Sequence, residues 1–233
     1  MEGFKIKVKL LAYTPQPEKL CGVAARSCVS RKPPSELTDL PEEKLNETLN
    51  KALSKGHQSV IEHASFTFSL EGISRACSHQ LVRHRIASYS QQSQRYVQLS
   101  NLDYATPPSI LKSGEALKVF KKALKAINEA YNALIKMNIP LEDARYILPN
   151  AALTNIVVTM NARELFHFFE LRCCLHAQWE IREAAWEMLK KAREAAPKLF
   201  EKAGPSCIFK GICPENDFSC PFYKKFIIKQ ARQ

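Results

Sequence analysis

Glycine is scarce in this chain and widely spaced. Only 7 of the 233 residues are glycine, and no two of them lie closer than seven positions apart. The G-x-G-x-x-G and G-x-x-x-x-G-K-[ST] motifs need closer glycines, so Rossmann-type and Walker-type phosphate loops are excluded. A phosphorylated ligand would therefore be held mainly by Arg, His, Ser and Gln side chains, with help from helix N-termini.

The chain is basic, with 34 Lys and Arg against 23 Asp and Glu and a formal net charge of +11. This excess indicates anionic partners such as nucleic acid, nucleotides or acidic lipid. The 45% hydrophobic and 24% charged residues are ordinary for a soluble globular protein. We find no signal-peptide pattern and no apolar run near the roughly 18 residues of a membrane span, so we expect a cytoplasmic protein without a membrane partner.

Hydrophobic spacing predicts a mixture of strands and helices. Apolar residues alternate with polar ones over 4–13 and 64–70, and β-branched residues dominate 154–159, which favours three strands. The predicted helices are 24–28, 41–55, 74–83, 113–138, 142–148, 161–171 and 177–200, with loops over 31–38 and 84–99. We therefore predict a single α+β domain with a small sheet and several long helices.

No carboxylate occurs among the thirty-one residues between Glu71 and Asp103. The cationic and imidazole side chains in the same segment are Arg75, Arg83, Arg85, Arg95, His79 and His84. Residues 83–96 combine guanidinium, hydroxyl and amide groups that can hold a phosphate and the edge of a heterocycle. We interpret this segment as an anion site. The alternative is a solvated basic loop that binds RNA nonspecifically, with Tyr89 and Tyr96 available for stacking.

The segment 161–172 has the spacing of an amphipathic helix. The polar face contains Arg163, His167 and Glu170. The apolar face contains Leu165, Phe168 and Phe169. Arg172 falls on the apolar side. An arginine in that position either extends from the helix end into water or binds an anionic ligand.

Eight cysteines are present, and none of them forms a C-x-x-C pair. Cys207, Cys213 and Cys220 cluster in a tail that is rich in Gly, Pro and Asn. Their spacing matches no zinc motif and no fourth ligand is evident, so we predict no metal site. A metal or redox role for these three residues is the alternative.

Arg83-His84-Arg85, followed after seven residues by Ser93, resembles the signature of the flavin-dependent thymidylate synthases. Further similar segments are Gly56-His57-Gln58-Ser59, Glu62-His63, Gln80, Asp143-Ala144-Arg145, Asn161-Ala162-Arg163, Leu171-Arg172 and His176-Ala177-Gln178-Trp179-Glu180. The resemblance implies one thymidylate synthase domain over residues 1–200. It leaves residues 201–233 as a cysteine-containing C-terminal tail of unknown role.

The resemblance also implies an activity and an assembly. It implies a homotetrameric enzyme, with sites shared between subunits, that methylates dUMP to dTMP. FAD would be the hydride carrier, methylenetetrahydrofolate the one-carbon donor and NADPH the reductant. No specific nucleic-acid partner is implied.

Residue roles follow from matching positions in the resemblance. It implies a flavin site that is contacted or lined by His57, Ser59, Arg83, His84, Arg85, Gln91, Asn161, Arg163, His167 and His176. It implies dUMP contacts from Gln80, Arg83, Gln91, Gln92, Ser93, Gln94, Arg95, Arg145 and Arg172. Gln91, Gln94 and His167 stand where some members have Glu, Gly and Asn.

The activation of uracil C5 has to be explained without an obvious nucleophile. None of the eight cysteines lies inside the signature, and Ser93 has no base close to it in the sequence. We therefore interpret Ser93 as a phosphate ligand, with a nucleophilic serine as the alternative. Arg172 is then the predicted catalytic residue. It would stabilise uracil as its N3-deprotonated oxyanion, which is an electrostatic role.

Overall fold

A four-stranded sheet runs through the computed structural model, which describes residues 6–99 and 103–230, with only the backbone of 226–230. The strands are β1 (Lys7–Tyr13), β2 (Ser65–Ser74), β3 (Ala87–Gln91) and β4 (Leu153–Asn161), in the spatial order β1-β2-β4-β3. The alternation predicted for β2 is confirmed, because Phe66, Phe68 and Leu70 are fully buried while the residues between them are half-buried. The sheet is small, as predicted.

Helices form most of the remaining structure. Those of the described residues are α1 (Pro17–Ser27), α2 (Pro34–Leu37), α3 (Glu42–Ser54), α4 (Arg75–Leu81), α5 (Pro108–Leu111), α6 (Gly114–Lys136), α7 (Leu141–Ala144), α8 (Ala162–Arg172), α9 (Trp179–Ala195), α10 (Ser206–Phe209) and α11 (Pro221–Gln230), with 3₁₀ turns at Gln58–Ile61 and Arg145–Ile147. Ser113 caps α6 by accepting a hydrogen bond from the Ala116 amide, and Asn161 caps α8 in the same way. The mixed α/β architecture is confirmed.

Three local predictions were wrong, and each error has a physical cause. The predicted loop over 31–38 contains α2, because Pro34 stands in the first turn, where a proline needs no amide hydrogen. The predicted loop over 84–99 contains β3, which lies at the edge of the described sheet and pairs with β4. Helix α9 ends at Ala195 because Pro197 disfavours the helical conformation at Ala196, whose φ and ψ are −144° and 73°.

The chain divides into two compact units. Among the described residues, unit 1 contains 6–7, 70–83, 90–99 and 103–157, and unit 2 contains 8–69, 84–89 and 158–230. Unit 1 is built around α6, whose Tyr131 is fully buried and accepts a hydrogen bond from the Leu99 amide. Unit 2 contains an aromatic cluster in which the ring of Phe200 lies 5.2 Å from Phe66 and 5.4 Å from Phe166. The boundary predicted at residue 200 stays a prediction.

No helix of the described residues combines the length and apolar character needed to cross a membrane.

The close packing of α1 on α3 requires glycine at position 22. A Cβ atom built on Gly22 would lie 2.7 Å from the Leu45 Cβ and 3.1 Å from the Leu45 carbonyl carbon. We therefore expect Gly22→Ala to lower the free energy of unfolding by roughly 1–3 kcal/mol through overpacking, which outweighs the gain in helix propensity. Chemical denaturation followed by circular dichroism measures this.

Gly114→Ala is the matched control, because Gly114 also lies in a helix and a Cβ there meets nothing within 4 Å. Gly114→Ala should leave the free energy of unfolding unchanged or raise it. A Gly22→Ala protein as stable as the parent would contradict the proposed close approach of the two helices.

Candidate active site

The central residue of the signature, His84, is buried in unit 2 and is only 3% exposed. Its Nε2 accepts a hydrogen bond from the Arg172 Nε at 3.1 Å. Its Nδ1 lies 3.3 Å from the Glu164 Oε1. The imidazole therefore stands between a guanidinium and a carboxylate, and both of these side chains come from α8.

These contacts define the protonation state of His84. Because the Arg172 Nε can only donate, His84 Nε2 must be an acceptor, and the ring proton resides on Nδ1. The pKa of His84 is lowered to about 4, mainly by burial and additionally by the nearby Arg172 and His167. The Glu164 carboxylate does not reverse this effect, because its contact with Nδ1 lacks hydrogen-bond alignment. His84 is neutral near pH 7.

Glu164 is a site residue that the sequence analysis missed. It is 6% exposed, and its backbone amide donates to the Asn161 side chain at the start of α8. Burial raises the pKa of Glu164, and the nearby His167 partly opposes this. A local signal existed, since Asn161-x-x-Glu164 has the spacing of a capping box. That spacing does not indicate contact with His84.

Further side chains of unit 2 hold His84 in place. Its ring packs edge-on against Phe168 at 4.9 Å and against His167 at 5.4 Å between centroids. The Tyr89 hydroxyl donates to the His84 carbonyl at 2.7 Å. Burial raises the pKa of Tyr89, and Glu164 adds to that effect, so its hydroxyl remains a donor. The arrangement keeps the ring that contacts Arg172 in one orientation.

The residues predicted for the flavin differ in their accessibility. In unit 2 the exposed members are His57, Ser59, Arg85, Arg163, His167 and His176, and in unit 1 Arg83 is exposed. Arg163 forms an ion pair with Glu62, and Asn161 uses its side-chain oxygen to cap α8. His84 is buried, so its imidazole is available to Arg172 rather than to solvent.

Most residues predicted for dUMP belong to unit 1. They are Gln80, Arg83, Gln91, Gln92, Ser93, Gln94, Arg95 and Arg145. Glu142 orients two of these arginines. The Arg95 guanidinium contacts the Glu142 carboxylate at 3.0 and 2.9 Å. The Arg145 Nε donates to the Glu142 backbone carbonyl at 3.1 Å. The Ser93 hydroxyl accepts from the Arg95 amide at 3.2 Å. Both arginines thus contact Glu142, Arg95 through the carboxylate and Arg145 through the backbone carbonyl.

The two glutamines at the end of β3 have fixed amides. The Gln91 amide donates to the hydroxyls of Ser78 at 3.0 Å and Thr154 at 3.3 Å. The Gln92 side chain accepts from Asn155 at 3.4 Å. Gln80 donates to the Ala76 carbonyl at 3.4 Å, within its own helix.

His176 lies beside the C-terminal tail. Its Nε2 is 3.0 Å from the Asp217 Oδ2, and both His176 and the tail cysteines line one small cavity. Burial raises the pKa of Cys174 and of Cys207. The tail, left without a role by the sequence analysis, is therefore a packed element of unit 2.

Comparison with known proteins identifies the family of this chain. The family model for the thymidylate synthase complementing protein matches residues 9–198. A protein named flavin-dependent thymidylate synthase from Geobacter sulfurreducens is 52% identical over 218 residues, covering 92% of this chain and 94% of the relative. Proteins of the same name from Clostridium tetani (49% identity, 92% and 93% coverage) and Pyrococcus abyssi (46% identity, 93% and 92% coverage) are also similar. The chain belongs to the flavin-dependent thymidylate synthase family.

Proposed function

We propose that this protein is a thymidylate synthase that methylates dUMP reductively to dTMP. FAD serves as hydride carrier, methylenetetrahydrofolate as one-carbon donor and NADPH as reductant. The family membership supports the overall reaction, because the relatives carry that name over nearly the whole chain. The +11 charge fits anionic ligands of this kind.

The observation that carries the mechanistic proposal is the contact between Arg172 and His84. A neutral imidazole accepts from the Arg172 Nε and so fixes the plane of the guanidinium without adding a competing charge. Arg172 is partly exposed, and it keeps its full positive charge at neutral pH. A planar cation held in this way can stabilise the uracil anion, which places negative charge on C5.

Binding of the nucleotide phosphate is assigned to the unit 1 group. Arg95 and Arg145 present guanidinium donors that Glu142 orients, and Ser93 presents a hydroxyl. Charge-assisted hydrogen bonds of this type are stronger than neutral ones. Ser93 is therefore a phosphate ligand in this proposal and not a nucleophile.

The residues present fit a flavin dinucleotide in their chemistry. Arg83, Arg85 and Arg163 are exposed cations that can neutralise a pyrophosphate in a chain without a glycine-rich loop. When bound, FAD would supply the hydride that converts the transferred one-carbon unit into a methyl group. The Glu62 carboxylate pairs with Arg163 and would have to share that guanidinium with the ligand.

The proposal excludes a cysteine nucleophile. Burial raises the pKa of Cys21 to about 12, and burial raises the pKa of Cys173 even further. Thiols in this state are poor nucleophiles, because the thiolate is the reactive form.

The free thiols of Cys28, Cys174, Cys207, Cys213 and Cys220 support a reducing compartment, the cytoplasm.

Assembly into a homotetramer with shared sites is part of the same proposal. Large apolar side chains are exposed in unit 1, among them Val119 at 66%, Met137 at 70% and Tyr146 at 82%. Apolar surface of this kind is typical of faces that become buried in an assembly.

Flavin binding by Arg85→Ala tests the proposed function. Loss of one charge-assisted contact to the pyrophosphate should weaken FAD binding about tenfold to a hundredfold. The variant should purify paler, and a titration of the apoprotein with FAD, read by absorbance, measures the affinity. Arg31→Ala is the matched control, since Arg31 is also exposed but lies outside the predicted site.

Equal FAD affinity in both variants would show that Arg85 is wrongly assigned. A parent protein that remains colourless after addition of FAD, and binds oligonucleotides with a steep salt dependence, would overturn the enzymatic proposal.

A further inference from the structure

We propose that Cys174, Cys207, Cys213 and Cys220 form a tetrathiolate site for one zinc ion. The proposed thymidylate synthase chemistry uses none of these four residues. The site would join the segment after α8 to the C-terminal tail. It departs from the expectation of no metal, which rested on the spacing of the tail cysteines and on the lack of an evident fourth ligand.

The four cysteines converge on one cavity. All of them line a space of about 30 Å³ within unit 2, together with apolar side chains such as Leu171 and Phe222. Cys207 and Cys220 are each only 7% exposed, and Cys174 and Cys213 are half-buried. Cys174 is the fourth ligand that the sequence did not reveal, because it precedes Cys207 by thirty-three positions.

Hydrogen bonds already hold the loops that carry the thiols. The Asp217 Oδ1 accepts from the Cys220 amide at 3.1 Å and from the Ser219 amide at 3.0 Å. The Asp217 Oδ2 lies 3.0 Å from the His176 Nε2, which ties the tail loop to the segment after Cys174. Such outer contacts orient metal ligands in many proteins.

The chemistry of the four ligands selects zinc. Four cysteine sulfurs in tetrahedral arrangement suit either zinc or an iron–sulfur cluster. We propose a single zinc ion as the occupant, because it needs only the four thiolates and no added sulfide, and an iron–sulfur cluster is an outcome that the test distinguishes. Each thiol would release its proton to solvent on binding, so that four thiolates and one Zn²⁺ form a site of net charge −2.

The candidate site is empty, and its sulfurs are not preorganised. In the part of the chain that the structure describes, no group of three or more His, Cys, Asp or Glu side chains is arranged to hold a metal ion. Rotation about χ1 moves a cysteine sulfur by a few ångströms while its backbone stays in place. We therefore expect metal binding to draw the four sulfurs together and to stabilise the tail.

Titration of the chelator-treated, reduced full chain with Co²⁺ tests the proposal. We expect saturation at one ion per chain, with the thiolate-to-cobalt absorption and the visible bands of tetrahedral Co²⁺, and displacement of these bands by Zn²⁺. Cys207→Ser and Cys220→Ser should each weaken or abolish the bands. Cys28→Ser is the matched control, because Cys28 is an exposed thiol outside the cavity, and its titration should match that of the parent.

A second measurement does not depend on the folding of the variants. Elemental analysis of the parent protein, purified anaerobically without added metal, should find one zinc per chain. Iron with sulfide in place of zinc, a disulfide among the four cysteines, or absence of saturable Co²⁺ binding would each overturn the proposal. Co²⁺ bands of equal strength in Cys28→Ser and Cys220→Ser would do the same.

Discussion

Replacement of Arg172 by alanine is expected to reduce thymidylate formation by at least about 100-fold, because one preorganised electrostatic contact to a developing anion is typically worth that much. The fold and the bound FAD should be retained, dUMP binding should weaken, and flavin reduction by NADPH should continue. Separate assays of flavin reduction by NADPH and of dTMP formation show which of the two steps the substitution affects. Arg172→Lys should recover little activity, because lysine keeps the charge but loses the planar pair of donors.

Arg193→Ala provides the matched control for this experiment. Arg193 is also half-buried, but it donates to the carbonyls of Phe200 and Ala203 in a structural role. Its removal should lower stability and leave turnover per folded enzyme near that of the parent. If Arg172→Ala forms thymidylate at a rate near the parent's, Arg172 has no activating role and only extends from the end of its helix.

Acidification is expected to destabilise the protein through His84. The pKa of His84 is about 4 in the folded chain against 6.5 in the unfolded chain, so the unfolded state takes up a proton first as the pH falls. The stabilisation is therefore complete above pH 6.5 and is lost progressively towards pH 4. A shift of this size corresponds to about 3 kcal/mol in the free energy of unfolding.

Glu164 titrates in the opposite sense, because burial raises its pKa and the folded chain takes up that proton first. The loss of stability on acidification should thus be larger in Glu164→Gln than in the parent. Urea denaturation of the apoprotein at fixed protein concentration between pH 4 and 7 measures the free energy of unfolding of the parent and of Glu164→Gln. His84→Gln should flatten the profile, whereas His79→Gln, at an exposed position in α4, should leave it unchanged. An unaltered profile in His84→Gln would show that this imidazole is not the titrating group.

Local patterns predicted the elements whose own residues determine them. The alternation over Phe66, Phe68 and Leu70 indicated a strand with one buried face, and Ser113 marked the start of α6 because its hydroxyl is a helix cap. Strand β3 gave no such signal. Its polar residues form a strand because of distant pairing, as in the hydrogen bond from the Gln92 amide to the Asn155 carbonyl.

The site was predictable in its components and not in its connections. The signature marked His84, and the helical wheel separated Arg172 from its polar neighbours, but nothing in the sequence relates positions that lie 88 residues apart. The burial of His84 was likewise unpredictable, because it depends on Phe168 and Glu164 of another element. The proximity of Cys174 to the tail cysteines was also unpredictable, because these residues are far apart in the sequence.

Trp186 gives the docking of the tail an optical readout. Its indole nitrogen donates to the Cys173 carbonyl at 3.2 Å, and its ring lies 5.9 Å from the ring of Phe222 in α11. The indole is thus covered in part by the tail itself. Displacement of the tail would expose this ring to water and shift its fluorescence to longer wavelengths. The second tryptophan, Trp179, can be replaced by phenylalanine to isolate this emission, which makes tail docking measurable in solution without an added label.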